Sequence, residues 1–435
     1  MLSTWPVKCA RSGILADLQH LMRPGTLSLA ALPPLSLYVH LPWCLRKCPY
    51  CDFNSHELPA ALQPQLPSQR VEAAVAESAG ASKQLPLATA RAYLAALRAD
   101  LEAALPLIWG RPVVSIFIGG GTPSLFAPEQ IAELISDLRA RLPLEAGCEI
   151  TLEANPGTFE RERFKGFRSA GVTRLSIGVQ SFDDSKLQAL GRVHSGAQAR
   201  AAIEEAAQAF DTFNLDLMYA LPQQSLAELD QELQTALSFK PPHLSVYHLT
   251  IEPNTRFAIA PPANLPDGDL ASEMLDLITA RTAEQGLSRY EVSAFAREGH
   301  RCAHNQNYWQ FGDYLGIGAG AHTKLSFPHR VLRQVRWREP ASYMAKAGEG
   351  AAVSNENEVS RAELPFEFML NALRLREGVP LTHFLERTGL PPSSIAKAMA
   401  QGRQKGLLEA DSARIAATPL GFDFLNDLQS LFLAD

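Results

Sequence analysis

The chain has 435 residues, 46% hydrophobic and 20% charged, with a formal net charge of -6. That length allows two or three domains of ordinary globular composition, and the acidic balance argues against broad nucleic-acid binding. No apolar run approaches the roughly 20 residues of a membrane-spanning helix.

Residues 1–34 carry Lys8, Arg11 and Arg23 against one acid, Asp17. An acid-poor start of this kind can be a mitochondrial transit peptide, a disordered extension or an over-long gene start. Pro24, Gly25, Pro33 and Pro34 interrupt its apolar runs, which disfavours a secretory signal. The favoured expectation is an unstructured extension of a cytoplasmic protein.

A strand is predicted over Ser36–His40, and a loop with Cys44, Cys48 and Cys51 follows it. The spacing is C-x3-C-x2-C. Thiolates suit iron–sulfur clusters, and three on one tight loop can hold three irons of a four-iron cube and leave the fourth open. A structural zinc site would want four ligands in two separated pairs. A disulfide framework would want an even number. Half of the six cysteines fall in this loop, beside Pro42, Arg46, Lys47 and Pro49, which is too polar for a core segment. The pattern implies a reducing compartment. Cys9, Cys148 and Cys302 are scattered and are expected to be structural.

Residues 59–90 hold four prolines, many Ala, Gln and Ser, and no aromatic residue until the helix that follows. They are expected to form a flexible insertion. Helical and strand patterns then alternate. Helices are predicted at Ala90–Leu105, Pro128–Leu142, Glu160–Ser169, Ala197–Phe210 and Leu226–Phe239. Strands are predicted at Val113–Ile118, Glu149–Glu153, Arg174–Val179, Thr212–Met218 and His243–Thr250. This is the signature of a parallel α/β sheet. Six strand–helix units fall short of an eightfold barrel and fit a partial (β/α)6 barrel, whose site belongs at the C-terminal strand ends.

Those ends are polar. The second strand runs into Gly119-Gly120-Gly121-Thr122-Pro123, where glycines let a ligand approach backbone N–H groups. The third ends on Glu153-Ala154-Asn155, whose carboxylate can accept both hydroxyls of a ribose. The fourth ends on Gln180, Gly191-Arg192-Val193-His194 follows a short helix, and Asp216 lies on the fifth. Each alone could be an ordinary strand end, but together they describe one pocket.

After Thr250 the alternation weakens. Residues 251–350 show a helix at Leu270–Gln285, a strand at Tyr290–Phe295 and a stretch rich in glycine and aromatics. Cys302, His304, Tyr308 and Trp309 lie within eight residues, with His322 nearby. A haem would need such a set: a His or Cys axial ligand and aromatic walls. The residues leave open which of them would ligate, or whether His304 only holds a turn. Residues 361–435 read as helix, turn, helix and a short wing, a winged-helix-like module. Packing or docking is its favoured role over DNA binding.

These motifs resemble the coproporphyrinogen-oxidase-like branch of the radical S-adenosylmethionine (SAM) family, from about Leu35 to the C-terminus. The resemblance implies a 4Fe-4S cluster on Cys44, Cys48 and Cys51, with SAM on its open iron. It carries SAM contacts onto Tyr38, Tyr50, Gly120, Gly121, Thr122, Glu153, Gln180, Arg192 and Asp216, with Thr250 a weaker carry-over. Within that branch, oxygen-independent coproporphyrinogen III dehydrogenases have a fourth cysteine two residues after the third. Here that position is Phe53. The Asn54-Ser55-His56 and Gly191–His194 runs, together with His304-Asn305-Gln306-Asn307-Tyr308-Trp309, are similar to the haem-chaperone subgroup, with its HNxxYW motif. The resemblance therefore implies haem binding, with His304 a candidate contact, and delivery to an acceptor protein whose location could bring peripheral membrane contact. No residue is assigned a catalytic role. The expected organisation is an extension over 1–34, a barrel over 35–260, a capping and candidate haem-binding region over 261–360, and the C-terminal module over 361–435.

Overall fold

The computed structural model describes residues 27–58, 85–156 and 161–434. The expected extension (up to residue 26) and most of the expected insertion (59–84) lie outside the described residues. Residues 27–34 are built into the fold: Leu27 and Leu29 are buried in the C-terminal core.

Six strands alternate with helices as the patterning predicts. They are β1 (Leu35–Leu41), β2 (Val113–Gly120), β3 (Leu144–Ala154), β4 (Arg174–Gln180), β5 (Phe213–Tyr219) and β6 (His243–His248). Neighbours in sequence pair in parallel, as right-handed strand–helix–strand crossovers require. The crossover helices include α1 (Leu87–Ile108), α2 (Pro128–Arg141), α3 (Arg161–Ala170), α4 (Gly196–Ala209) and α5 (Leu226–Ser238). Their starts follow local chemistry. Ser195 and Ser225 each accept from the backbone N–H three residues on, and Gln198 and Glu228 reciprocate, leaving fewer unsatisfied donors at the helix start. Gly171, at φ +107°, ends the helix before β4, a conformation that a Cβ would oppose.

The sheet does not stop at six strands. Among the described residues it has 12, because residues after 280 extend both edges. On one edge, β7 (Ser288–Arg289) and β8 (Ala294–Ala296) replace the single strand expected over Tyr290–Phe295, and β8 pairs antiparallel with β6. On the other, β9 (Asp313–Ile317) pairs in parallel with β1. An antiparallel meander continues outward through β10 (His322–Phe327), β11 (Arg330–Arg336) and β12 (Val353–Glu358). The region over 261–360 therefore supplies strands of the main sheet besides covering it. Asp313 anchors this extension. Its buried carboxylate meets Lys324 at 3.0 Å and Arg111 at 2.9 Å, so each buried charge has a partner.

The main core is one cluster running from β1 to the helix at Pro340–Gly348. A second core joins Leu27, Leu29, Phe311 and Val331 to the C-terminal helices. That module has helices at Leu364–Ala372, Leu381–Thr388 and Ala396–Gln404, and a short pairing of Val379–Pro380 with Arg414–Ile415. The module ends in two short helices, Pro419–Asp423 and Leu425–Ser430, that meet at Phe424. Arg403 donates to the carbonyls of Glu409 and Asp411, which ties a basic side chain of the module's third helix to its own wing.

Candidate functional site

The loop after β1 returns on itself. Trp43–Cys44 pairs in parallel with His56–Glu57, and the intervening turn carries Cys48 and Cys51. A buried bracket holds it. The Nε2 of His40 lies 2.9 Å from the Asn54 carbonyl, and its Nδ1 lies 2.9 Å from the Tyr38 hydroxyl. Burial pulls the His40 pKa down to about 4, so the ring is neutral. A carbonyl only accepts, so Nε2 carries the proton and Nδ1 accepts from Tyr38. Asn54 in turn donates to the carbonyls of Ala319 and Arg338, at 2.9 and 2.8 Å.

The three thiols line one pocket of about 310 Å³ at the C-terminal ends of the parallel strands. The hydroxyl of Thr122 lies 3.5 Å from the Cys44 sulfur, that of Ser55 lies 3.5 Å from Cys51, and an Arg192 nitrogen lies 3.7 Å from Cys48. Burial pushes the Cys44 thiol up to about 11 and raises that of Cys51. Among the described residues no three His, Cys, Asp or Glu side chains could hold a single metal ion. In a cluster each thiolate would meet a different iron, so the three need not converge on one point. The donor set and the cup around it therefore fit an iron–sulfur cube.

Tyr50, Gly120, Gly121, Thr122, Glu153, Gln180, Arg192 and Asp216 line the same pocket as the cysteines. Gly120 has φ +113° and donates its N–H to Glu153 at 3.0 Å. A Cβ there would lie 2.5 Å from the His40 ring, and one at Gly121 would lie 2.6 Å from the Trp43 carbonyl. These glycines thus let β2 pass tightly under the cluster loop as well as expose backbone to the pocket. Gln180 has φ +66° where the β4–β5 register shifts. Such a conformation costs a non-glycine residue about 1 kcal/mol or more and is a pointer to function.

Two carboxylates lie at the pocket wall. Burial, and then the charge of Asp216, pushes Glu153 up to about 7. Asp216 is also raised by burial, although Ser176 and Asn214 donate to it at 2.9 and 2.8 Å. Burial opposes the charge of Arg192, yet Tyr50 and Cys48 hold its pKa above the ordinary value. Arg192 donates to Asn155 and to the Gly178 carbonyl, at 2.5 and 2.7 Å. His194 holds the Val179 carbonyl at 3.0 Å, behind the strand end.

Three expected contacts are set apart from this pocket. Tyr38 is half-buried and bonded to His40, and it is not among the residues that line the pocket. Thr250 is exposed beyond the end of β6. His304 is buried on α6 (Ala303–Trp309), packed against the rings of Tyr38 and Phe117, with its pKa pulled down to about 4 by burial. Sequence reasoning missed the deeper lining. Asn155 donates to Thr122 at 2.8 Å, and Arg174, Ser245 and Tyr247 reach the pocket from the strand interiors. Asn155 stood beside Glu153 in a noted motif, whereas nothing local marks Arg174.

Among the described residues no helix is long and apolar enough to cross a membrane. Residues 38–236 match the Radical SAM superfamily, and residues 359–424 match the HemN C-terminal domain. The solved Escherichia coli coproporphyrinogen III oxidase HemN superposes with a TM-score of 0.74 over 98% of this chain and 93% of its own, at 22% identity, a likeness of fold. "Heme chaperone HemW" of Haemophilus influenzae is 43% identical over 93% of this chain and 99% of its own length. The Escherichia coli protein of that name is 43% identical over 94% of this chain and 100% of its own. A bovine mitochondrial "Radical S-adenosyl methionine domain-containing protein 1" is 36% identical, over 80% and 74% of the two chains. On this similarity, which spans barrel and C-terminal module alike, the chain belongs to the HemW family within the radical SAM superfamily.

Proposed function

We propose that this protein is a haem chaperone of a reducing, cytoplasmic compartment, which holds a 4Fe-4S cluster and SAM and passes haem to an acceptor protein. The observation that carries the reading is one cup. Three loop thiols, a glycine-rich strand end and two half-buried carboxylates converge in a chain 43% identical to proteins named heme chaperones. Cys44, Cys48 and Cys51 would hold the cluster, whose open iron would bind the methionine amine and carboxylate of SAM. Glu153 would accept the ribose hydroxyls, and the negative wall of Glu153 and Asp216 would favour a sulfonium cation. Gln180 and Arg192 would meet polar edges of the same ligand.

Phe53 separates this reading from coproporphyrinogen III decarboxylation. It is 66% exposed and lines the pocket where dehydrogenases of the branch carry a fourth cysteine. The test uses anaerobically reconstituted full-length protein. Replacing Cys44, Cys48 or Cys51 by Ser should abolish the iron–sulfur absorbance, while Cys148→Ser and Cys302→Ser retain it. Haem should bind at about one per monomer with a Soret shift from iron ligation. Multiple-turnover conversion of coproporphyrinogen III to protoporphyrinogen IX would overturn the chaperone reading.

A further inference from the structure

A second cavity, of about 1150 Å³, lies between the extended sheet and the C-terminal module. The strand register explains where it is. Ser36 pairs with Tyr314, Tyr314 with Lys324, Lys324 with Arg333, and Arg333 with Asn357. Facing residues share a side of the sheet, so this cavity is on the same side as Tyr38 and the first pocket. α6 divides the two. It and its N-cap offer Cys302 and Asn305 to the first pocket, and Tyr308 and Trp309 to the second cavity. His304 is packed within the partition, against Tyr38 and Phe117.

We infer that haem binds in this second cavity, with His322 at the start of β10 as its axial ligand, rather than on His304. The inference rests on the haem-chaperone reading and deepens it. Volume argues first. Ligand pockets span about 300–1,000 Å³. The first pocket is at the low end, with a cluster and SAM already to accommodate, whereas the second exceeds the upper end.

Chemistry argues next. Among the described residues lining the second cavity, His322 is the one histidine, and no cysteine joins it. It is exposed, and burial of part of its ring, with Arg333 and Arg338 nearby, lowers its pKa. A neutral imidazole is the form that binds iron. Tyr308, Trp309 and Tyr314 supply aromatic surface for a macrocycle, the Tyr308 ring lying 5.0 Å from Tyr314 and meeting Trp309 edge-to-face at 4.9 Å. Arg374 stacks at 4.2 Å over Trp309. The indole N–H of Trp309 and the Nε of Arg374 are buried without a hydrogen-bond partner. Another nitrogen of Arg374 meets Glu291 at 3.4 Å; buried donors normally find acceptors, and a haem propionate would supply one to the two that lack it. Cys302 cannot serve here: it faces the first pocket and its thiol lies 3.6 Å from Glu149.

The test is haem titration of the cluster-loaded full chain, followed in the Soret region. Wild type should give a histidine-ligated spectrum. His322→Ala should lose it and regain it on addition of free imidazole. His322→Cys should shift it toward a thiolate-ligated form, an outcome that a merely structural role would not produce. His304→Ala should keep the wild-type spectrum, with cluster absorbance confirming that each variant folds. A wild-type spectrum in His322→Ala, or its loss in His304→Ala with imidazole rescue, would overturn the assignment while leaving haem binding intact. Absence of any Soret shift in wild type would overturn the chaperone reading, and this inference with it.

Discussion

Glu153 and Asp216 are the residues at which charge and burial compete most openly. Both are half-buried at the pocket wall, and Glu153 is pushed up to about 7 by desolvation and by its neighbour. A raised folded-state pKa means the native protein holds its proton longer than the unfolded chain does. The stability contributed by neutral Glu153 is therefore lost as pH rises through about 7. Binding of a cation that also presents a diol should favour the ionised form. SAM affinity should fall as pH drops below about 7, by up to roughly tenfold per unit, and Glu153→Gln should flatten that dependence while weakening binding. Calorimetric titration between about pH 6 and 8 measures both; an unchanged slope in the variant would remove Glu153 from the site. The sequence disclosed this carboxylate because it closes a strand in a quoted motif. It did not disclose Arg174 or Tyr247, because side-chain direction at a barrel interior depends on strand tilt and register, not on neighbours in the chain. Tyr38 and His304 bring aromatic and imidazole chemistry that suits ligands, and here they pack on each other, with Tyr38 bonded to His40.

The cluster loop is the element whose geometry depends most on distant chain. Asn54 fastens it to the carbonyls of Ala319 and Arg338, and a Cβ at Gly320 would lie 2.4 Å from the Asn54 amide. Each such hydrogen bond contributes about 0.5–1.5 kcal/mol. Asn54→Ala should therefore loosen the loop by about 1–3 kcal/mol without unfolding the barrel. The expected result is faster loss of the cluster to an iron chelator, with the urea midpoint of the whole protein little changed. An unaltered rate of loss would show that the thiolates alone hold the loop. The six parallel strands and their helices were legible because period-2 and period-3.6 patterning dominates wherever one face is buried. The edges were less so. β7 and β8 are two or three residues long, too short for a period to show, and the helix break at Phe424 is marked only by Gly421, three residues earlier.

At the scale of the molecule, the sheet extension decides how many cavities one face of the sheet carries. β9 joins β1 from far along the chain, a pairing that no local signal announces, because alternation reports a strand's exposure and not its neighbour. Its consequence is a sheet face that carries two cavities, with α6 contributing to both and the C-terminal module lining the outer one. The sequence indicated that module and the aromatic run before β9, but not that they enclose a common space. If haem occupies the outer cavity and SAM the inner, the two ligands have separate volumes and no shared side chain among the residues described as lining them. Saturating SAM should leave haem stoichiometry at about one per monomer and change its dissociation constant less than tenfold, and haem should do the same to SAM, since coupling between sites is reciprocal. Equilibrium dialysis with both ligands measures this directly. Strict mutual exclusion, with each ligand displacing the other in proportion to its concentration, would mean that haem enters the cluster pocket and that α6 does not separate two sites.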